Sequence, residues 1–470
     1  MSPSLPAPAR VRAGRSVLVL GVAAALLGGI VAPAHALRFM NYNLLNWSGS
    51  SGVARVPYMR AIARGIGPDL IASQEMIDQA GVNLFRDQVL NFREPGEWEA
   101  APFTNGPDTD NALFYRKSRF DSVEVADVVE IPTTLRNVSR YHLHLKGYPD
   151  APGTDFYVYS FHLKASQGSA EEAQRLAEMQ VIRGNAENLP FGSLVLFCGD
   201  YNVYTSAEAA FQHALASIGQ NIGRMKDPIN QLGNWHDNSG FRFIHTQSPR
   251  TASFGGGSTG GMDDRFDFLL TSYNWDDGLG LELLESTYTA YGNDGNHFNL
   301  QLDAGANTAV GELMADSLTQ ASDHLPVHAD LSVPARLSLP VVAHDFGTVI
   351  EGAGAAFELP VGNAAIVPAD GLDYAFAPAA QFGAPAGALA LAAGMATTHT
   401  ITMQTTGPGA RSELLAITSD APGSETTAVQ LLGMVYAHAR PSAESTLVVV
   451  ADTLDFGARE SGGFSDQVAR

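Results

Sequence analysis

In the 470-residue chain, Phe197-Cys198-Gly199-Asp200-Tyr201-Asn202 takes an apolar strand into glycine and then offers a carboxylate and an amide two residues apart. Alternate residues of an extended segment point the same way, so Asp200 and Asn202 can face one ligand. An Asp/Asn turn closing a strand would read the same. Four other segments tip the balance toward a ligand. Asn43 closes Arg38-Phe39-Met40-Asn41-Tyr42-Asn43, and Gln74-Glu75 follows Leu70-Ile71-Ala72. His162 lies in Ser160-Phe161-His162-Leu163-Lys164, and Asp323-His324 in Ser322-Asp323-His324-Leu325-Pro326-Val327. Asp267 sits inside Arg265-Phe266-Asp267-Phe268-Leu269-Leu270, and a carboxylate within an apolar strand needs a partner, for which a histidine is natural.

The elements that must position these groups are short aromatic and branched runs ending in polar or glycine-containing turns, near residues 38–43, 113–115, 156–161, 194–198 and 266–270. Residues 170–188 predict a helix, with Ala173, Leu176, Met179, Val181 and Ile182 near helical spacing and acids early. Strands and helices so intermixed predict an α/β sandwich of two packed sheets flanked by helices. Two long loops interrupt it. Gly255–Gly261 is glycine-rich but lacks the Lys-Ser/Thr ending of a phosphate-binding loop, and residues 292–310 are rich in Asn, Gly and Asp.

Taken in order, the segments around Asn43, Glu75, His162, Asp200-Tyr201-Asn202, Asp267 and Ser322-Asp323-His324 resemble the endonuclease/exonuclease/phosphatase superfamily over residues 37–333. Asp227-Pro228-Ile229, Trp235-His236-Asp237-Asn238, His245-Thr246-Gln247-Ser248 and Gly261-Met262-Asp263-Asp264 look like a secreted bacterial branch of it. The resemblance implies a four-layered α/β sandwich that hydrolyses phosphodiesters with a divalent cation. It implies Glu75 as metal ligand, with Asn43 and Asp323 completing or supporting that site. It further implies His162 and His324 flanking the scissile phosphate and Asp200 orienting or deprotonating the attacking water. Asn202 would hold a phosphoryl oxygen, and Asp267 would orient His324. A carboxylate supporting the other histidine falls near Asp108 or Asp110, and Tyr115 or Arg116 would touch the phosphate. Oxygen ligands suit Mg²⁺, Mn²⁺ or Ca²⁺ better than Zn²⁺. Such a reaction needs an in-line nucleophile, stabilised equatorial oxygens and a neutralised leaving alkoxide, which a metal, two imidazoles and an amide supply. His142 and His144 alternate along one strand and mimic a metal pair, while Arg140 and Arg250 are ordinary surface arginines that would reach substrate only if they line the site.

Composition bounds the rest. Acidic residues outnumber basic ones 49 to 28, so polyanions are repelled at long range and a nucleic-acid or phospholipid substrate must be held locally through a bound cation. Residues 1–36 read as a secretory signal: Arg10, Arg12 and Arg15, an apolar run from Ser16 to Val31, then Ala34-His35-Ala36. That run falls short of a membrane span, so export to the envelope or medium without stable membrane insertion is expected. The lone Cys198 excludes an intrachain disulfide and reads as a small buried hydrophobe. Beyond Pro334 the chain turns rich in Ala, Gly, Val and Thr with short alternating runs, which predicts an immunoglobulin-like β-sandwich over 334–440. Asp345-Phe346-Gly347 recurs as Asp455-Phe456-Gly457, so 441–470 reads as the start of a second, truncated repeat. The expected activity is a nuclease acting on DNA or RNA. The rivals are a lipid phosphodiesterase of sphingomyelinase type, whose apolar hairpin would be Tyr273-Asn274-Trp275, and an inactive surface-binding module. The tail is expected to bind a surface or a protein partner.

Overall fold

A computed structural model describes residues 37–439, so the expected secretory signal and the expected start of a second repeat lie outside the described residues. The chain runs β1 (Leu37–Trp47), α1 (Val56–Ile66), β2 (Leu70–Met76), α2 (Gln79–Leu84), β3 (Trp98–Ala100) and β4 (Asp110–Arg116). It continues through β5 (Val128–Pro132), β6 (Asn137–His144), β7 (Asp155–His162), α3 (Ser169–Ala186), β8 (Leu194–Asp200) and α4 (Ala209–Leu215). Then come β9 (Met225–Lys226), β10 (Asp267–Ser272), β11 (Glu282–Ala290), α5 (Glu312–Ala321) and β12 (Val327–Ser332). One six-stranded sheet has the order β11-β12-β1-β2-β4-β3 and the other β5-β6-β7-β8-β10-β9.

Period-two alternation decides which face each strand buries. Leu37, Phe39, Leu70, Ala72, Leu113 and Tyr115 from the first sheet meet Tyr141, Leu143, Phe156, Val158, Leu196 and Leu269 from the second in the central core. The opposite face of the first sheet, through Met40, Ile71 and Phe114, packs on Met59, Ile62 and Ile66 of α1 and Ala315 and Leu318 of α5. The second sheet covers its outer face with Met179, Ile182 and Ala186 of α3 and Phe211 of α4. The result is the four-layered α/β sandwich. The helix expected over 170–188 spans Ser169–Ala186, but Val181 faces solvent and Ala173 is exposed. Arg175 and Glu178 are buried instead: Arg175 pairs with Glu208 at 2.8 Å, and Glu178 accepts from the Lys164 amide at 2.9 Å. Polar anchoring, not apolar spacing, fixes that part of the face.

Strand polarity gathers the chemistry at one edge. β1 and β2 are parallel, as are β7 and β8, with His162 opposite Asp200 where the latter pair ends. β10 runs antiparallel to β8 and begins with Asp267 opposite Asp200. β12 runs antiparallel to β1, pairing Val327 with Asn41, so His324 precedes β12 at the same edge. Tyr115 and Arg116 end β4, and Tyr115 pairs with Leu70 at the start of β2, which places both at the far end from Glu75. Tyr115 is core, and Arg116 pairs with Glu94 at 2.9 Å, so neither addresses the site. Trp275 is likewise core, donating its indole N–H to the Val195 carbonyl at 3.0 Å, and so cannot form an apolar hairpin reaching outward. No helix among the described residues is long and apolar enough to cross a membrane.

The remaining strands are β13 (Leu337–Ser338), β14 (Ala343–Ile350), β15 (Ala356–Asn363), β16 (Leu372–Phe376), β17 (Phe382–Gly383), β18 (Leu389–Leu391), β19 (Ala396–Met403), β20 (Gly409–Ser419) and β21 (Thr426–Tyr436). They form a four-stranded sheet, β13-β15-β19-β17, and a five-stranded one, β14-β21-β20-β16-β18. Leu359, Val361, Ile401, Leu415, Ile417, Val429 and Leu431 belong to its own separate core. Asp345-Phe346-Gly347 is an irregularity in β14, where Gly347 at φ +69° donates its N–H to the Asp345 carboxylate.

Gly199 lets β8 close on β7 beneath the site: at φ +147°, a Cβ there would lie 1.9 Å from the Phe161 carbonyl oxygen. A fixed backbone atom cannot yield as a side chain can. Gly199→Ala is expected to lower unfolding free energy by at least about 3 kcal/mol in urea titration. An unchanged midpoint would contradict this packing.

Candidate active site

The edge where the two sheets' strand ends meet is built on strained backbone. β1 and β2 slip register between Asn43 and Trp47, and Leu45, Asn46 and Glu75 adopt φ of +48°, +46° and +58°. Each such residue costs on the order of 1–3 kcal/mol unless its surroundings hold it. Here the distortion turns the Asn46 N–H onto Glu75 Oε2 at 2.9 Å, while Asn43 Nδ2 donates to Glu75 Oε1 at 2.9 Å. Asn202, at φ +52°, donates its N–H to Asp200 Oδ1 at 3.0 Å and its amide to the Leu163 carbonyl at 3.2 Å.

Asn43 is the hub. Its Nδ2 lies 3.2 Å from Asp200 Oδ2 and 3.4 Å from His324 Nε2, and its Oδ1 accepts from the Leu45 N–H at 3.0 Å. With its oxygen so occupied and its nitrogen on the carboxylates, Asn43 orients ligands. Glu75, His162 and Asp200 each offer a ligand atom within 4.8 Å of the others. His162 Nε2 is 3.4 Å from Asp200 Oδ2 and its Nδ1 is 3.7 Å from Glu75 Oε1. Of the ligands expected from sequence, Glu75 belongs to this trio with His162 and Asp200, Asn43 supports it by donating to Glu75, and Asp323 stands outside it. Asp323 is buried with Oδ2 held by the Ser258 N–H at 2.6 Å, and its Oδ1 has no hydrogen-bond partner. That contact gives the glycine-rich loop a task, since a Cβ on Gly257 would meet Asp323 Oδ2 at 2.6 Å.

His324 completes the constellation from the other side. Its Nδ1 is 2.7 Å from Oδ2 of the fully buried Asp267, and its Nε2 is 3.4 Å from Asp200 Oδ2. Ser322 Oγ latches the loop by donating to the Asn43 carbonyl at 2.7 Å. Burial alone would depress His324, yet Asp267, then Asp200 and Asp323, hold it well above the ordinary histidine range. His162 goes the other way: burial first, then Arg136 and His324, push it well below that range. Their surroundings thus bias the two imidazoles in opposite directions, His324 toward the charged form and His162 toward the neutral one. Burial raises Glu75, with Asp323 adding to it. Asp200 is pushed up to about 7, mainly by burial, with Asp267 and Glu75 adding and His324 opposing.

Removing several carboxylates from water beside one another is unfavourable without countercharge. Arg55 is a buried guanidinium whose charge couples to both Asp323 and Glu75, and it donates to the Leu44 and Ala321 carbonyls at 2.6 and 3.0 Å. A divalent cation between Glu75, Asp200 and His162 fits this donor set, and the unpartnered Asp323 Oδ1 and His162 Nδ1 fit a further ligand nearby.

Sequence reasoning assigned no role to Gln247, whose Nε2 lies 2.6 Å from His324 Nε2, or to Arg55. The segment holding Gln247 stood out, but only the pairing of its backbone with both Asp264 and His324 brings it to the imidazole. Neither carboxylate suggested for the second histidine reaches it: Asp108 pairs with Arg136 at 3.0 Å, and Asp110 accepts from Gly106 at 2.8 Å. Arg140 donates to Asn185 at 3.1 Å, and Arg250 donates to the Thr319 carbonyl. Replacing Asp267 with Asn removes the charge that holds His324 protonated. The His324 imidazole should then titrate at lower pH by NMR, and an unmoved titration would exclude the pairing.

No protein-family model and no curated protein matches the sequence. Among solved structures, the chain is similar to TDP2 of D. rerio complexed with single strand DNA product, at 15% identity and TM-score 0.41, covering 63% of this chain and 99% of that one. It is similar to an endonuclease/exonuclease/phosphatase family protein from Bacteroides thetaiotaomicron at 14% identity and TM-score 0.38, covering 63% and 97%. It is similar also to the human Nocturnin catalytic domain with bound sulfate at 18% identity and TM-score 0.37, covering 63% and 94%. These likenesses lie in the fold.

Proposed function

We propose that the α/β sandwich is a divalent-cation-dependent phosphodiesterase, and that its substrate is a nucleic acid. The observation that carries this reading is the convergence of Glu75, His162 and Asp200 within one ligand sphere, beside the buried His324–Asp267 pair. When bound, Mg²⁺ or Mn²⁺ would be held by Glu75 and Asp200 with His162 alongside, and would supply positive charge to the phosphate. The chain's own groups do the rest. Asp200, whose Oδ2 faces both the His162 and the His324 imidazole, orients a water and accepts its proton. His324, kept protonated by Asp267, donates from Nε2 to a phosphoryl oxygen as charge gathers there. Asn202 uses one amide hydrogen on the Leu163 carbonyl and has a second for the same phosphate. No covalent nucleophile is required.

The sphingomyelinase alternative loses its candidate membrane hairpin to the burial of Trp275. The strongly acidic chain makes local capture through the cation the natural route for a polyanion. We assign the first 36 residues to export, and the β-sandwich, immunoglobulin-like in outline, to attachment to a surface or protein partner.

The deciding assay sets the secreted protein against DNA, RNA, sphingomyelin and a chromogenic phosphodiester, with and without EDTA. Cleavage of nucleic acid that EDTA abolishes and Mg²⁺ restores supports the reading, whereas turnover indifferent to EDTA contradicts it. His324→Ala should lower turnover by about 10²–10⁴-fold with the fold intact. Near-normal activity would remove His324 from the chemistry. Mg²⁺ or Mn²⁺ should also raise the melting temperature, since a ligand at 100 times its Kd adds about 2.7 kcal/mol. Because Glu75 and Asp200 are both raised, protons compete with the cation as pH falls, so the gain should be larger at pH 8 than at pH 5. Equal gains would mean that the metal binds elsewhere.

A further inference from the structure

Asp127, His142 and His144 share no residue with the site above and stand together on the outer face of the second sheet. His142 and His144 alternate on β6, so both leave the sheet on one side. Val128 pairs with Tyr141, which puts Asp127, one residue before β5, across from His142. On the other flank, His142 pairs with Tyr157 and His144 with Asp155 on β7. The Tyr157 ring lies flat on His142, with centroids 4.2 Å apart and planes 4° from parallel. The two imidazole centroids are 4.3 Å apart. One ligand atom from each of Asp127, His142 and His144 lies within 4.8 Å of the others.

Further carboxylates surround them. Asp155 Oδ2 is 2.7 Å from His142 Nε2, and Asp150 Oδ1 is 3.1 Å from His144 Nδ1. A carboxylate hydrogen-bonded to a ring nitrogen fixes the tautomer and orientation of an imidazole, as Asp155 does for His142. The imidazoles are only 23% and 24% exposed. Stacking on Tyr157 preorganises His142, while the remaining exposure leaves room for an ion to enter.

We propose that Asp127, His142 and His144 form a second metal site, of zinc type, with Asp150 as an additional oxygen donor. Two imidazoles with one or two carboxylates are the donor set of tetrahedral Zn²⁺, not of Mg²⁺ or Ca²⁺, which take oxygen ligands. The site would brace the β5–β6–β7 corner. The loop that carries Asp150 also meets the β-sandwich, where Tyr148 Oη donates to the Pro334 carbonyl at 2.7 Å and Arg336 donates to the Gly147 carbonyl at 2.8 Å. An ion there would stiffen the platform on which the second domain rests and leave phosphodiester turnover alone.

The test uses the full chain stripped of metal and titrated with Zn²⁺ alone by calorimetry, in parallel with Glu75→Gln, His142→Ala, His144→Ala and Asp127→Asn. Wild type and Glu75→Gln should both take up Zn²⁺ at this site. His142→Ala and His144→Ala should each lose one equivalent, and Asp127→Asn should bind that equivalent at least tenfold more weakly. Mg²⁺-supported turnover on a chromogenic phosphodiester should be unchanged in the three outer-face variants. NMR of the wild-type imidazoles keeps the question open to refutation if a variant misfolds: Zn²⁺ should shift His142 and His144. Undiminished Zn²⁺ uptake in the histidine variants, or unmoved imidazole resonances, would overturn the proposal and leave two structural His–Asp pairs.

Discussion

Carboxylates withdrawn from water into one small space repel each other and resist ionisation, and most of what is unusual in this protein answers that difficulty. Glu75, Asp200, Asp267 and Asp323 all lie at the edge where the two sheets' strand ends meet. Each is met by a donor aimed from a different element: the Asn43 amide and Asn46 N–H on Glu75, the Asn202 N–H on Asp200, His324 on Asp267 and the Ser258 N–H on Asp323. These donors stabilise charge without cancelling it. The excess negative potential at Glu75 and Asp200 is what a divalent cation would neutralise, and the cation's charge is what a phosphodiester would then meet.

The fold sustains this arrangement because the strained backbone of the site is backed by extended apolar cores. Leu45, Asn46, Glu75 and Asn202 sit in left-handed backbone, all within the strand ends that carry the site. Behind them, apolar layers on both sides of each sheet hold the strands in register, and Gly199 allows the closest approach beneath Asp200. Preorganisation of this kind places donors where charge will develop and leaves little to rearrange during reaction. The β-sandwich contributes none of these groups.

The strand ends were legible from sequence because an apolar run that stops at Asn, Glu, His or Asp announces a polar group held at a sheet edge. Asn43, Glu75, His162 and Asp200 are of that kind, whereas Asp267 and Asp323-His324 stand where an apolar strand begins; the two-sheet sandwich followed from the same runs. What escaped notice depends on long-range geometry. Tyr115 and Arg116 end a strand just as His162 does, but β4 runs antiparallel to β2 and carries them to the wrong edge. Gln247 comes from an irregular segment whose path no periodicity constrains. Arg55 is buried by stacking 5.0 Å over Trp47, a contact no local pattern encodes. His142 and His144 could be seen to share a face, but Asp127, Asp150 and Asp155 join them only through the strand register and the β6–β7 loop.

The most direct test of the central reading is anomalous diffraction from crystals of the chain soaked in Mn²⁺. If the buried carboxylates exist to hold a divalent cation, an anomalous peak will lie within ligand distance of Glu75 and Asp200, with His162 adjoining it. Mn²⁺ absent from that position in crystals saturated with the ion, or bound only elsewhere on the surface, would contradict the account.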